Sequence, residues 1–236
     1  MAEEFMKLFS NELIAVYKLD DMARVDDAFV GRLEWPAGRK GQIFTTGGPI
    51  AEELLLNPRF TYSREFTFHF NFSASREWLK GEAPAVSAVK PAGTPSLEKH
   101  RPLYIKIKQR IFNQLPWYKE DPEEDKREVE AFERKVNAYK VGYWEKDGMA
   151  AGIVALRKWK DYSQQPVDWI SWLLVEEALS RDERAATHAY MGAWLKENTG
   201  PKVECLVQSF NVRSLKFFMK LGFKPVALHV YKEGLK

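Results

Sequence analysis

The sequence predicts an α/β (α+β) chain: a central mixed sheet flanked by helices, preceded by an N-terminal α/β extension or small domain. Three observations carry that expectation. Strand-like and helix-like segments alternate from Leu103 onward. Residues 81–95, GEAPAVSAVKPAGTP, break every apolar period and read as a linker or crossing segment. The 236 residues, 45% of them hydrophobic, are enough for a sizeable core. At roughly 100–150 residues per domain they fit one large domain or one domain plus an extension. The expected division is 1–98 and 99–236.

Taken in order, residues 5–16 read as a helix and residues 36–48 as a Gly/Pro-rich loop. Phe66, Phe68, Phe70 and Phe72 alternate with Thr67, His69 and Asn71, the period of a strand, and His69 reads as one of its polar residues. Thr45-Thr46-Gly47-Gly48-Pro49 leads into a helix over 50–56 with Pro49 near its first position. Glycines before a helix N-terminus could hold an anion, and a plain turn explains them equally well. Leu103 to Lys108, LYIKIK, alternates as a strand does. Residues 110–136 are helical material broken at Pro116 and Pro122, with Val129, Phe132 and Val136 on one side.

Residues 138–144 and 149–157 read as strands joined at Asp147-Gly148, a hairpin turn signal. Residues 167–175, VDWISWLLV, are apolar on both faces over their second half, which predicts a central strand. A helix over 183–198 stops at Asn198-Thr199-Gly200-Pro201. A strand over 202–210 follows, then a short helix capped by Asn211 and closed by Gly222, then a last strand over 223–231.

Composition narrows the function. Thirty-six Lys and Arg against 33 Asp and Glu leave a net charge of +3, too weak a field for bulk attraction to nucleic acid or membrane. Any phosphate site must be local. The single cysteine, Cys205, excludes an internal disulfide framework and a Cys-based zinc cluster and fits a reducing cytoplasm; it reads as a buried strand residue. His69, His100, His188 and His229 are scattered without ligand spacing, so no metal is expected. The start, MAEEFMKLFSNEL, lacks a basic n-region, and no run of about 18 apolar residues exists, so neither a signal nor a membrane span is expected.

The segment from Asn211 to Phe223, NVRSLKFFMKLGF, resembles the last motif of the GNAT superfamily of acyl-CoA-dependent N-acyltransferases, roughly Asn-x-x-Ala/Ser-x-x-Phe-Tyr-x-Lys-x-Gly-Phe. The order of elements from Leu103 to Tyr231 agrees with that family, and the resemblance leaves the first hundred residues unassigned. It implies a GNAT-like domain over 99–236, acetyl-CoA as co-substrate, and transfer of the acyl group to a primary amine by direct attack. It also implies two neighbouring strands, ending near Val175 and Phe210, that part so the pantetheine arm lies between them. Leu173, Leu174 and Val175 would then offer backbone to the arm, and Asn211, Ser214, Phe217 and Phe218 would line its other side.

The family's pyrophosphate loop, Gln/Arg-x-x-Gly-x-Gly/Ala, corresponds to Arg181-Asp182-Glu183-Arg184-Ala185-Ala186, followed by Thr187. Arg184 stands where the first glycine is expected; its guanidinium could contact phosphate, or its bulk could exclude it. Phe218 stands where many members carry the tyrosine that protonates the leaving thiolate. Asp168 and Glu176 are the candidate bases, Asp168 by position and Glu176 at the strand's far end, with Glu177 beside it; a solvent-facing carboxylate explains Asp168 as well. Trp144, Trp159, Trp169 and Trp172 fit a pocket or a core, and Arg213, Lys216, Lys220 and Lys224 a nucleotide contact or a solvated helix face.

The expected partners are an acyl-CoA and an amine acceptor, small molecule or protein, with a homodimer left open. The alternative is a non-catalytic CoA-binding or protein-interaction module of the same fold. A third is that residues 1–98 carry the function.

Overall fold

A computed structural model describes residues 5–10, 14–19, 25, 27–33, 40–45, 50–56, 66–84, 87–92, 97–114, 121–135, 138–161 and 164–232. Along the chain run β1 (Phe5–Ser10), β2 (Ile14–Leu19), α1 (Asp27–Arg32), β3 (Lys40–Thr45), α2 (Glu52–Leu55) and β4 (Phe66–Ser75). A short 3-10 turn (Arg76–Trp78) precedes β5 (Lys90–Pro91), α3 (Leu97–Phe112), α4 (Pro122–Arg134), β6 (Lys140–Lys146), β7 (Met149–Lys160) and β8 (Pro166–Val175). Then come α5 (Arg181–Asn198), β9 (Lys202–Gln208), α6 (Val212–Lys220) and β10 (Lys224–Lys232). The class is the expected one, a mixed sheet flanked by helices. The chain forms two compact units, Met1–Ser73 with Cys205–Lys236, and Ala74–Glu204. Among the described residues no helix is long and apolar enough to cross a membrane.

In the first unit the strand order is β1-β2-β3-β10-β4-β9. The pairs β1/β2, β3/β10 and β10/β4 are antiparallel, and β2/β3 is parallel. Strand β4, from the N-terminal part, therefore sits between two strands from the C-terminal end. Its alternation has the expected outcome: Phe68, Phe70 and Phe72 are buried with Leu228, Val230 and Phe218. The opposite row is not left to solvent, since Asn71 is buried too.

Two expectations fail in this unit. Of residues 5–16, expected as a helix, Phe5–Ser10 and residues 14–16 belong instead to an antiparallel pair, β1 and β2, and residues 11–13 lie outside the described residues. The buried Ala15 and Tyr17 beside the exposed Lys18 show the period of two that wins there. Lys40–Thr45, expected as loop, is a strand because β2 and β10 flank it and take up its backbone groups. The Thr46–Pro49 turn lies outside the described residues.

In the second unit β5, β6, β7 and β8 pair antiparallel in order, and β8 pairs parallel with the start of β9. Asp147 and Gly148 take positive φ of 49° and 77°, the two-residue turn that Asp-Gly predicts for the β6–β7 hairpin. Helices cover both faces. Gly152 of β7 faces α5, where an added Cβ would run into Met191 Cε. Trp172, opposite Ala155 and hence on the other face, stacks on Tyr104 of α3 with centroids 4.3 Å apart.

The stretch LYIKIK, expected as a strand, belongs to α3. Leu103 and Ile107, four residues apart, are its buried positions, so the short alternation was part of a helical period. Within the supposed linker, Lys90 and Pro91 pair with Glu145 and Trp144 as an edge strand, a position proline tolerates. Helix α4 opens on Pro122, and Asp121 Oδ1 accepts from the Glu123 and Glu124 N–H groups at 3.0 Å.

Candidate functional site

Strand β8 organises the second unit. Against β7 its register shifts once: Trp172 opposes Ala155 and Ile170 opposes Leu156, so Ser171 is the extra residue of a bulge. A bulge bends the strand that carries it and raises its local twist. Within the second unit β8 pairs parallel with β9 through Asp168 with Val203 and Trp169 with Glu204. Residues 172–175 keep their ladder with β7. Side chains 171–175 are all half-buried, and the Ser171 hydroxyl is buried without a hydrogen-bond partner. Leu173, Leu174 and Val175, the expected arm-binding backbone, lie on this stretch.

The two candidate bases sit at opposite ends of β8. Asp168 is 5% exposed; its Oδ1 lies 2.7 Å from Lys158 Nζ, and its Oδ2 accepts from the Gly200 N–H at 2.6 Å. At roughly 3.3 Å per residue it stands about 23 Å from Val175. Glu176 follows β8 directly, its N–H donating to Ala151 O at 2.9 Å. Its Oε1 accepts from Lys106 Nζ at 2.6 Å and from the Ala178 N–H at 2.9 Å. Partial burial pushes its carboxyl up, but the Lys106 ammonium and the Ala178 N–H outweigh that and hold it below the ordinary range. Arg110 pairs with Glu177, so α3 is fastened to the β8–α5 loop at two points.

The N-terminus of α5 is closed by its own residues. Ser180 Oγ accepts from the Glu183 N–H at 3.3 Å while Glu183 Oε2 accepts from the Ser180 N–H at 2.8 Å, a capping box. Lys146 Nζ lies 2.5 Å from Glu183 Oε1. With the Ser180 N–H it holds the carboxyl down at about 2. Arg184 Nη1 donates to the Glu177 carbonyl at 2.9 Å and also to that of Leu179, so the side chain ties down its own loop. Arg181 and Ala185 are exposed, and Ala186 is half-buried. Thr187 is fully buried and donates to Glu183 O at 2.8 Å.

The remaining site candidates belong to the first unit. Asn211 caps α6, its Oδ1 accepting from the Ser214 N–H at 3.3 Å, and Gly222 closes the helix at φ 97°. Phe217 is half-buried. Phe218 is 5% exposed, packed against Phe72, Phe217 and Phe223 at centroid distances of 6.1, 5.5 and 5.2 Å. Cys205 is buried. Burial pushes the Tyr231 hydroxyl up to about 12.

Sequence reading missed the Ser180–Glu183 capping box, although Ser-x-x-Glu before a helix is its signature. It also missed Lys146 and Lys106, whose partners are distant in sequence, and the bulge at Ser171, which leaves no local signal.

No family model matches the chain, and no curated protein does. Among solved structures it is similar to a functionally unknown conserved protein from Staphylococcus epidermidis, at 13% identity and a TM-score of 0.51, over 98% of this chain and 94% of that one. It is also similar to a GCN5-related N-acetyltransferase from Kribbella flavida, at 15% identity and a TM-score of 0.43, over 99% and 88% of the two chains. A GCN5-related N-acetyltransferase from Sphaerobacter thermophilus matches at 12% identity and a TM-score of 0.42, over 98% and 78%. Likeness at this identity concerns the fold alone.

Proposed function

We propose that the chain is an N-acyltransferase of the GNAT type that moves an acyl group, acetyl in the simplest case, from a coenzyme A thioester to a primary amine. One observation carries the reading: the motif from Asn211 to Phe223 folds as the resemblance implies, a helix capped by Asn211 and closed by Gly222 between strands β9 and β10. Leu173, Leu174 and Val175 of β8 are the backbone assigned to the donor's amide-bearing arm.

The donor supplies an activated carbonyl. Backbone N–H groups of Leu173 to Val175 polarise its oxygen as the amine nitrogen forms the new C–N bond and the C–S bond breaks. The proton the amine loses passes to Glu176, directly or through water, and the thiolate takes one from solvent. With a thiol pKa near about 8.5 the leaving group needs little help from an acid, so Phe218 does not bar the reaction. Asp168, occupied by Lys158 and Gly200 at the other end of β8, is assigned to fastening the strand.

The test is calorimetric titration with acetyl-CoA together with an assay of free thiol release across an amine panel. Binding with amine-dependent release supports the enzyme. Binding without release favours the non-catalytic module, which the closed α5 terminus and Phe218 recommend. Absence of binding by any pantetheine compound overturns both.

A further inference from the structure

We infer that the acceptor of the proposed transfer carries an anionic group beside its amine, and that a groove along α3 reads that anion. The inference rests on the acyltransferase reading and names the acceptor class for the same site. A groove of about 630 Å³ follows α3, with Arg101, Ile105, Lys106, Gln109, Arg110 and Asn113 among its lining. These positions repeat at i, i+4 and share one side of the helix. Three of the side chains are cations, and among the described residues that line the groove none is a carboxylate.

Each cation holds one carboxylate from another element. Arg101 donates to Glu133 of α4 through Nε at 3.2 Å and Nη2 at 2.7 Å, Lys106 Nζ lies 2.6 Å from Glu176 Oε1, and Arg110 pairs with Glu177. The charges cancel in number but not in place. The Arg101 side chain is 44% exposed against 24% for Glu133, and Lys106 52% against 20% for Glu176. In both pairs the cation meets solvent and the carboxylate is withdrawn, so the groove presents a positive potential. The acids of α4 do not offset it: Asp125 and Glu128 each lie 2.8 Å from Lys108 Nζ, and Asp121 caps the helix.

The groove adjoins the proposed base. Lys106 lines it and touches Glu176, so an amine presented to Glu176 has the Lys106 ammonium beside it. A compact amine that also bears an anion satisfies both members of that pair. Its ammonium faces Glu176 and gives up its proton there, while its anion faces Lys106, an ammonium with three donors, and the Gln109 carboxamide three residues on. An acceptor with a second cation in place of the anion meets like charges instead and is rejected. The anion has two sources, the carboxylate of an amino acid or a phosphate ester.

The test is acetyl-CoA-dependent thiol release by the full chain with amines in matched pairs. Alanine and phenylalanine are set against their α-amides, O-phosphoethanolamine against ethanolamine, and putrescine and spermidine serve as cations. The α-amides have the less basic amines and the larger free-base fraction, so reactivity alone favours them. The expected result is that an anionic amine exceeds its partner at least about fivefold in kcat/KM, and the pair that does so names the anion. Ratios below about fivefold in every pair, or polyamines as the best acceptors, overturn the inference and leave the acyltransferase reading standing. No thiol release with any amine overturns that reading, and the inference with it. The double variant Arg101→Gln, Arg110→Gln leaves the Lys106–Glu176 pair in place and should cut the ratio at least about threefold, chiefly through KM. A folded variant that slows both members of a pair with the ratio unchanged counts against the inference. In the unchanged chain, raising the ionic strength should shrink the ratio, a check that holds if the variant does not fold; a ratio indifferent to salt also counts against the inference.

Discussion

Truncating Phe70 to alanine tests the most consequential feature of the fold, the placing of an N-terminal strand inside a sheet built from the C-terminal end. Phe70 is 0% exposed and lies opposite Leu228, also 0% exposed, with β9 on the other side of β4. Removing a fully buried phenylalanine costs about 3–5 kcal/mol, transfer and cavity together. Against a typical total of about 5–15 kcal/mol that is a large share of the stability. At about 2–4 °C per kcal/mol for a chain of this size, the melting temperature should fall by roughly 6–20 °C. Thermal and urea unfolding followed by circular dichroism measure it, with Trp78→Ala, at a side chain 52% exposed, as the near-neutral control. A loss below about 2 °C for Phe70→Ala would refute the buried, two-sided placement of β4. The same geometry predicts that neither 1–98 nor 99–236 folds natively alone. The first lacks β10, which separates β3 from β4, and the second lacks the strand between β9 and β10.

Other substitutions probe single interactions. Gly81 has φ 149°, and an added Cβ would lie 2.7 Å from Gly192 Cα on α5, so Gly81→Ala should cost about 1–3 kcal/mol or more in a thermal melt. Glu183 has its folded pKa depressed from 4.5 to about 2 by Lys146 and the Ser180 N–H. Its contribution is therefore present above the unfolded pKa and lost as pH falls toward 2, and Glu183→Gln should flatten the decline in melting temperature over that window. Asp168→Ala removes the acceptor for the Gly200 N–H and should destabilise by about 1–3 kcal/mol, with Asp168→Asn recovering part; a loss of turnover at unchanged stability in the Asn variant would instead make Asp168 a participant in the reaction. Phe218→Tyr should lower stability by about 1–3 kcal/mol without raising turnover, and a rise in turnover at unchanged stability would return the acid role to that position.

What the sequence made legible was local. Asp147-Gly148 specified a hairpin through the two positive φ angles its turn requires, and Asn211 with Gly222 marked both ends of α6 through cap chemistry. The Phe68, Phe70, Phe72 row declared a strand because one face of it is buried. The failures were of two kinds. In LYIKIK six residues fit a period of two as well as a fragment of 3.6, and only the burial of Leu103 and Ile107 decides between them. In β1 and β2 the strand state comes from pairing with each other, and in β3 from pairing with β2 and with the distant β10, which no short window of the sequence contains. The bulge of β8 is of the second kind: it is a register event between β8 and β7, and Ser171 gives no sign of it alone.

The departure at Phe218 and the N-terminal strand have one physical explanation. In a site that uses a tyrosine as acid, the hydroxyl must reach the leaving sulfur and be hydrated or hydrogen-bonded when it does. Here the ring at that position is enclosed, its neighbours Phe72 of β4, Phe217 and Phe223 being aromatic and apolar. A hydroxyl placed among them loses water and gains no partner, so the packing that seats β4 against α6 selects phenylalanine over tyrosine. On the proposed acyltransferase reading, proton delivery to the leaving group then cannot come from this ring. The polar groups assigned to that reaction are Glu176 with its Lys106 partner and the backbone of Leu173 to Val175. The proposed chemistry depends on positioning and on backbone dipoles more than on a dedicated acid, which a thiolate leaving group permits and an amine or alkoxide would not.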